Sequence, residues 1–85
     1  MSKEPTSKPK YWYGDTPDKC ELSGQPFNGV FYDARTTWGS WCLMCQDAFN
    51  LYGTKHHATG RALVGQGYGQ RYELQSDGRW LKTAG

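Results

Sequence analysis

The apolar and polar positions of this chain fall into short blocks, each long enough for a strand or a few helical turns and no more. Residues 30–34 and 36–41 are rich in the β-branched and aromatic types that suit a pleated surface, which predicts a hairpin turning around Arg35 to Trp38. Met44, Cys45, Ala48, Phe49 and Tyr52 then recur at helical spacing, so an amphipathic helix is expected over about Cys42 to Tyr52, with Gly53 as its stop. Residues 54–69 read as a glycine-rich loop. After it, residues 70–75 and 79–83 flank Asp77-Gly78, a favoured two-residue hairpin turn. That turn would set Leu74 opposite Leu81 and Tyr72 opposite Thr83 on one face, with Glu73 opposite Lys82 and Gln75 opposite Trp80 on the other. The elements add up to a small α+β fold of two β-hairpins and one short helix.

Composition sharpens this picture. Leu, Val and Phe make up 11 of 85 residues and there is no isoleucine, a poverty usual in disordered chains. Against disorder stand 13 aromatics, four of them tryptophans, and a net charge of only +2. The sequence therefore predicts one aromatic-packed minidomain over residues 11–85, preceded by a flexible basic arm over residues 1–10 in which Pro5 and Pro9 oppose helix. In a chain this short a single core rarely supplies more than about 3 to 5 kcal/mol, so a staple is expected.

Charge is distributed unevenly. Residues 1–10 balance to +2, residues 11–52 to −3 and residues 53–85 to +3. No apolar run approaches the roughly 18 to 20 residues of a membrane span, and no apolar stretch near the N-terminus resembles a signal peptide, so a cytosolic protein is expected. Three cysteines, an odd number, fit metal binding or free thiols better than a disulfide framework.

The cysteines carry the most specific chemistry. Cys20-Glu21-Leu22-Ser23-Gly24-Gln25 has the form of a zinc knuckle with Ser23 where a second cysteine would stand, and Cys42-Leu43-Met44-Cys45 falls at the start of the predicted helix, where amide dipoles favour thiolate. Knuckle, hairpin and helix-borne Cys-x-x-Cys follow the order of a treble-clef, or zinc-ribbon-like, finger. Two readings stay open. In one, Cys20, Cys42 and Cys45 bind zinc and His57, or alternatively His56, completes the tetrahedron; in the other, the finger has lost its metal and Cys20 and Ser23 are ordinary small turn residues. The Trp41-Cys42-x-x-Cys45 string also matches a thioredoxin-like dithiol, but no proline follows Pro26 to face it. Gly65-Gln66-Gly67-Tyr68-Gly69 lacks the helix or Lys-Ser/Thr pair of a phosphate loop and reads as a tight turn. No spacing speaks for catalysis.

From Cys20 onward, about three quarters of the chain, the sequence resembles a group of small tailed-bacteriophage proteins. The residues that carry the likeness are Cys20 to Ser23, Phe31-Tyr32-Asp33, Gly39-Ser40-Trp41, Cys42 with Cys45, Gly67-Tyr68-Gly69-Gln70-Arg71-Tyr72 and Asp77-Gly78-Arg79. The chain departs from the pattern at Ser23 and in the histidine-containing insert between Gly53 and Gly65. The resemblance implies a phage origin, a treble-clef-like minidomain and no attached enzymatic activity. The expected function is that of an accessory protein in the host cytoplasm that binds a host or phage protein, host transcription machinery among the candidates. An alternative is nucleic-acid binding through Arg61, Arg71, Arg79 and Lys82, with stacking by aromatics among Tyr11, Trp12, Tyr13, Trp38 and Trp80. A second alternative is a minor component of the virion.

Overall fold

A computed structural model describes residues 10–85. Among them, β1 (Val30–Arg35), β2 (Trp41–Met44), β3 (Gly69–Leu74) and β4 (Trp80–Ala84) form one antiparallel sheet, and α1 (Gln46–Tyr52) lies between β2 and β3 in the chain. The strand order β2-β1-β3-β4 sets the two hairpins side by side through the pairing of β1 with β3. The small α+β class expected from the sequence is the one found. The basic arm expected over residues 1–10 lies, except for Lys10, outside the described residues.

Strand β1 is the spine, and its alternation divides the core between the two faces of the sheet. On one face Phe31 sits opposite Tyr72 and stacks on it at 5.0 Å, while Trp12, Phe27 and Trp80 close around the same ring. On the other, Tyr32 stacks on Phe49 of α1 at 3.8 Å, beside buried Met44, Ala34 and Ala48. Aromatic rings thus do on both faces what aliphatic side chains do in most small domains. Tyr32 also donates to Gln46 Oε1 (2.9 Å) and accepts from Arg71 Nε (3.2 Å), which ties helix to sheet through a polar link.

Three local expectations are corrected. Residues 41–44 are strand, not the first helical turn: they pair with β1 from Arg35↔Trp41 to Tyr32↔Met44, and Cys45, with extended backbone, becomes the helix N-cap. The first hairpin accordingly turns over residues 36–40, where buried Thr36 and Ser40 close the loop (Thr36 N–H to Ser40 O, 2.8 Å). In the terminal hairpin Gln75 N–H donates to Arg79 O, giving a three-residue loop, and the register is Leu74↔Trp80, Glu73↔Leu81 and Tyr72↔Lys82. This is one residue off the two-residue turn. A slip of one flips every side chain to the opposite face, and it is this register that places Trp80 beside Tyr72 and Phe31 in the core.

Two glycines answer to close approach. Gly53 has φ −64°, so it does not serve as a left-handed helix stop; a Cβ there would lie 2.8 Å from Phe49 O and 2.9 Å from its ring. At Gly69, φ is +153° and a Cβ would stand 2.5 Å from Ala34 Cβ across the strands.

Both edges of the sheet are covered. Along β4, Tyr11 bridges Leu81, Trp12 N–H donates to Trp80 O and Lys82 N–H to Lys10 O. Along β2, Glu21 N–H donates to Leu43 O and Leu43 N–H donates to Glu21 Oε1, so the knuckle is docked as an extra half-strand. No helix of the described residues is long and apolar enough to cross a membrane.

Candidate functional site

The docked knuckle brings Cys20 and Ser23 to the N-terminus of α1. Gly24 N–H donates to Cys20 O (2.9 Å) and Ser23 N–H to Cys20 Sγ (3.4 Å), which folds the turn over a buried sulfur. Ser23 Oγ lies 3.6 Å from Cys45 Sγ and accepts from Gln25 N–H at 3.3 Å. Burial pushes the Cys20 thiol up, but hydrogen bonds from the Ser23 hydroxyl and from the N–H groups of Cys45, Ser23 and Leu22 outweigh it and bring the thiol down to about 7. Cys42 stands half-buried on β2 and moves the other way, raised by burial and by the neighbouring charges of Glu21 and Cys20.

The expected ligands are only partly assembled. Cys20 and Cys45 meet through Ser23, with Cys42 on the adjoining strand. His56 and His57 belong to a separate turn: His56 N–H donates to Arg61 O, its Nδ1 accepts from Ala58 and Thr59 N–H, and the two imidazoles stack at 4.8 Å. Among the described residues no group of three or more His, Cys, Asp or Glu side chains is placed to hold a metal ion. At the knuckle position where a second thiolate would stand, Ser23 offers a hydroxyl engaged with Cys45 and Gln25. The dithiol reading asks for an acidic Cys42, and the structure raises that thiol.

Of the four cations expected to contact nucleic acid, two are engaged elsewhere. Arg71 pairs with Glu73, donates to Thr83 Oγ1 and reaches Tyr32 Oη. Arg79 pairs with Asp77 at 2.9 Å and lies 4.0 Å over the Tyr11 ring. Lys82 is on β4 opposite Tyr72, away from Arg61 in its exposed turn. Trp12 and Trp80 are likewise taken into the core, whereas Tyr13 and Trp38 are exposed.

A different grouping emerges at the end of the sheet where β1 runs into its turn. Trp38, at the tip, meets Tyr52, the last residue of α1, edge to face at 5.8 Å, and Thr37 N–H donates to Tyr52 O. Both rings remain open to solvent, at 56% and 41% exposure, beside Leu51 at 66%. Lys55 Nζ donates to Leu51 O (2.8 Å) and Gly53 O (3.2 Å), which holds its ammonium at the C-terminus of α1 next to Tyr52. Arg35 joins this end through its backbone, accepting from Thr54 and donating to Tyr68 O, and Arg61 through the bond from His56 N–H. Between residues 34 and 72 the one acidic residue is Asp47, in the first turn of α1 and so at the knuckle end of the helix. Carboxylates gather by the knuckle instead, where burial and the Glu21 charge push the Asp33 carboxyl up.

Trp38 was visible in the sequence as a candidate stacker. Its pairing with Tyr52 and the place of Lys55 were not, although the scarcity of carboxylates over residues 34–72, where Asp47 stands alone, was a signal that could have pointed to them. No protein-family model, curated protein sequence or solved structure matches the chain.

Proposed function

We propose that this protein is a small non-enzymatic module that binds another macromolecule, with the end of the molecule bearing Trp38 and Tyr52 as its working surface. The observation that carries the reading is that ring pair, held edge to face and left open in a chain with very little apolar material to spare. The scaffold is read as treble-clef-like; the chain order of a knuckle over residues 20–25, the β1–β2 hairpin and a helix capped by Cys45, with Ser23 of the knuckle against Cys45, supports that reading. A phage accessory protein acting in the host cytoplasm, or carried in the virion, fits a module of this size with a binding surface and no catalytic group.

The test is retention from host lysate on immobilised full-length protein, with and without nuclease. Whatever macromolecule is retained should be lost with Trp38→Ala and kept with Leu74→Ala, an exposed apolar residue at the opposite end of the sheet. Equal retention by both variants would remove the assignment of the surface.

A further inference from the structure

We infer that the partner of the Trp38–Tyr52 end is a single-stranded nucleic acid, an inference that rests on the proposed binding surface and adds the chemistry of its occupant. Three features converge on it. The first is charge: Lys55 holds its ammonium beside Tyr52, Arg35 and Arg61 lie on segments hydrogen-bonded to that one, and the single acidic residue between 34 and 72, Asp47, sits in the first turn of α1, at the other end of the helix from Tyr52. Cations at this end, with the one acidic residue of α1 a full turn or more away, complement a phosphate backbone.

The second is the geometry of the rings. In an edge-to-face pair one ring gives an edge and keeps both faces, while the other gives a single face. Flat π-surface is therefore left for a third planar group. A base in a duplex already has both faces covered by its neighbours, whereas an unstacked base has a face to offer, and stacking of that kind tolerates any sequence. The third is rigidity. Thr36 is fixed to Ser40, Thr37 to Tyr52 and Thr54 to Arg35, so the ring-bearing turn, the helix end and the Arg35 strand end are held together by backbone hydrogen bonds before any ligand arrives. Less ordering is then lost on binding. Lys55, whose ammonium is already positioned on two carbonyls beside Tyr52, contributes charge next to the stacking surface.

The other basic residues do not share this arrangement. Arg71 and Arg79 each face a carboxylate two positions away, so their contribution to a phosphate contact is small and their removal should leave affinity nearly unchanged.

Fluorescence anisotropy of the full chain against a labelled deoxythymidine oligonucleotide of about 12 nucleotides tests the inference, since single-strand sites span about 4 to 16 nucleotides. Two phosphate contacts, from Lys55 and Arg61, predict a slope of about −1.4 in log affinity against log salt, or a loss of about 7-fold between roughly 50 and 200 mM. Trp38→Ala should weaken binding by about 5- to 100-fold, whereas Trp38→Phe, which keeps a stacking face, should retain most of it. Arg61→Ala should shallow the slope by about 0.7, and Leu74→Ala should change nothing. A duplex of the same length should bind more weakly. Oligonucleotide binding that is indifferent to Trp38→Ala, or duplex preferred over single strand, overturns the inference. If no oligonucleotide binds at low salt while Trp38→Ala still releases a nuclease-resistant protein from lysate, the inference falls and the binding surface stands. If neither is seen, both fall.

Discussion

Replacing Phe31 by alanine should come close to unfolding the protein, because the rings of Trp12, Phe27, Tyr72 and Trp80 all lie with centroids 4.9 to 5.3 Å from its own. The side chain is 0% exposed at the centre of β1, so the void would open between strand and covering segment with no side chain free to fill it. A buried Phe→Ala change costs about 3 to 5 kcal/mol, and a core of this size supplies about the same. The variant should therefore sit near zero net stability at 25 °C, without a cooperative urea transition. Phe31→Leu keeps most of the volume and should cost less than about 1.5 kcal/mol, lowering Tm by up to about 12 °C. Phe49→Leu, on the opposite face, should cost less again, because its ring contacts one aromatic, Tyr32. Near- and far-ultraviolet circular dichroism through a urea titration reads all three variants. A Phe31→Ala protein that unfolds cooperatively at the wild-type midpoint would refute the claim that the aromatic face holds the fold.

Other consequences can be measured in the same way. Gly69→Ala should destabilise by about 1 to 3 kcal/mol in chemical denaturation, because its Cβ would meet Ala34 Cβ at 2.5 Å. The Cys20 thiol is lowered from 9.0 unfolded to about 7 folded, so its contribution is full above pH 9 and is lost as pH falls through 7. Tm should therefore rise from pH 7 to pH 9 on account of roughly 1 to 2 kcal/mol, discounted for water at the surface of the clasp, and Cys20→Ser should flatten that rise. The wild-type melting temperature should not respond to a chelator, whereas Ser23→Cys, which restores a fourth thiol at knuckle spacing, should take up one zinc per chain by native mass spectrometry and melt higher.

Much of the architecture was legible because it is written in local pattern: β1, α1, the terminal hairpin and the knuckle each follow from neighbouring residues. The errors arise where two patterns overlap or a distant contact decides. Met44 is buried from a strand but lies in phase with Ala48 and Phe49, so strand and helix read as one stripe. Asp77-Gly78 favours a two-residue loop, yet burying Trp80 against Phe31 selects the register one residue away, which no short-range signal carries. The approach of Ser23 to Cys45 spans 22 residues, and the meeting of Trp38 with Tyr52 depends on where the first turn sits on the helix end. The pairing of Arg71 with Glu73, by contrast, could have been read from spacing: residues two apart on a strand share a face.

The Trp38–Tyr52 end is set apart from the other exposed apolar residues, among them Tyr13, Trp41 and Leu74, by the packing of two open rings on one another. With 11 Leu, Val and Phe residues in 85, the fold recruits Trp12, Tyr32, Tyr72 and Trp80 into its two cores. Leaving half of a tryptophan in water forgoes roughly 2 kcal/mol of burial, a large share of the about 3 to 5 kcal/mol available. The turn that exposes Trp38 is fixed by Thr36 and Ser40, one buried and bonded through both its N–H and its hydroxyl, so the ring is presented by a rigid support and not by a frayed loop. Stability alone would draw that ring inward. Its outward position, against Tyr52 with the Lys55 ammonium held at the same helix end, is the arrangement a stacked base and its phosphates would stabilise.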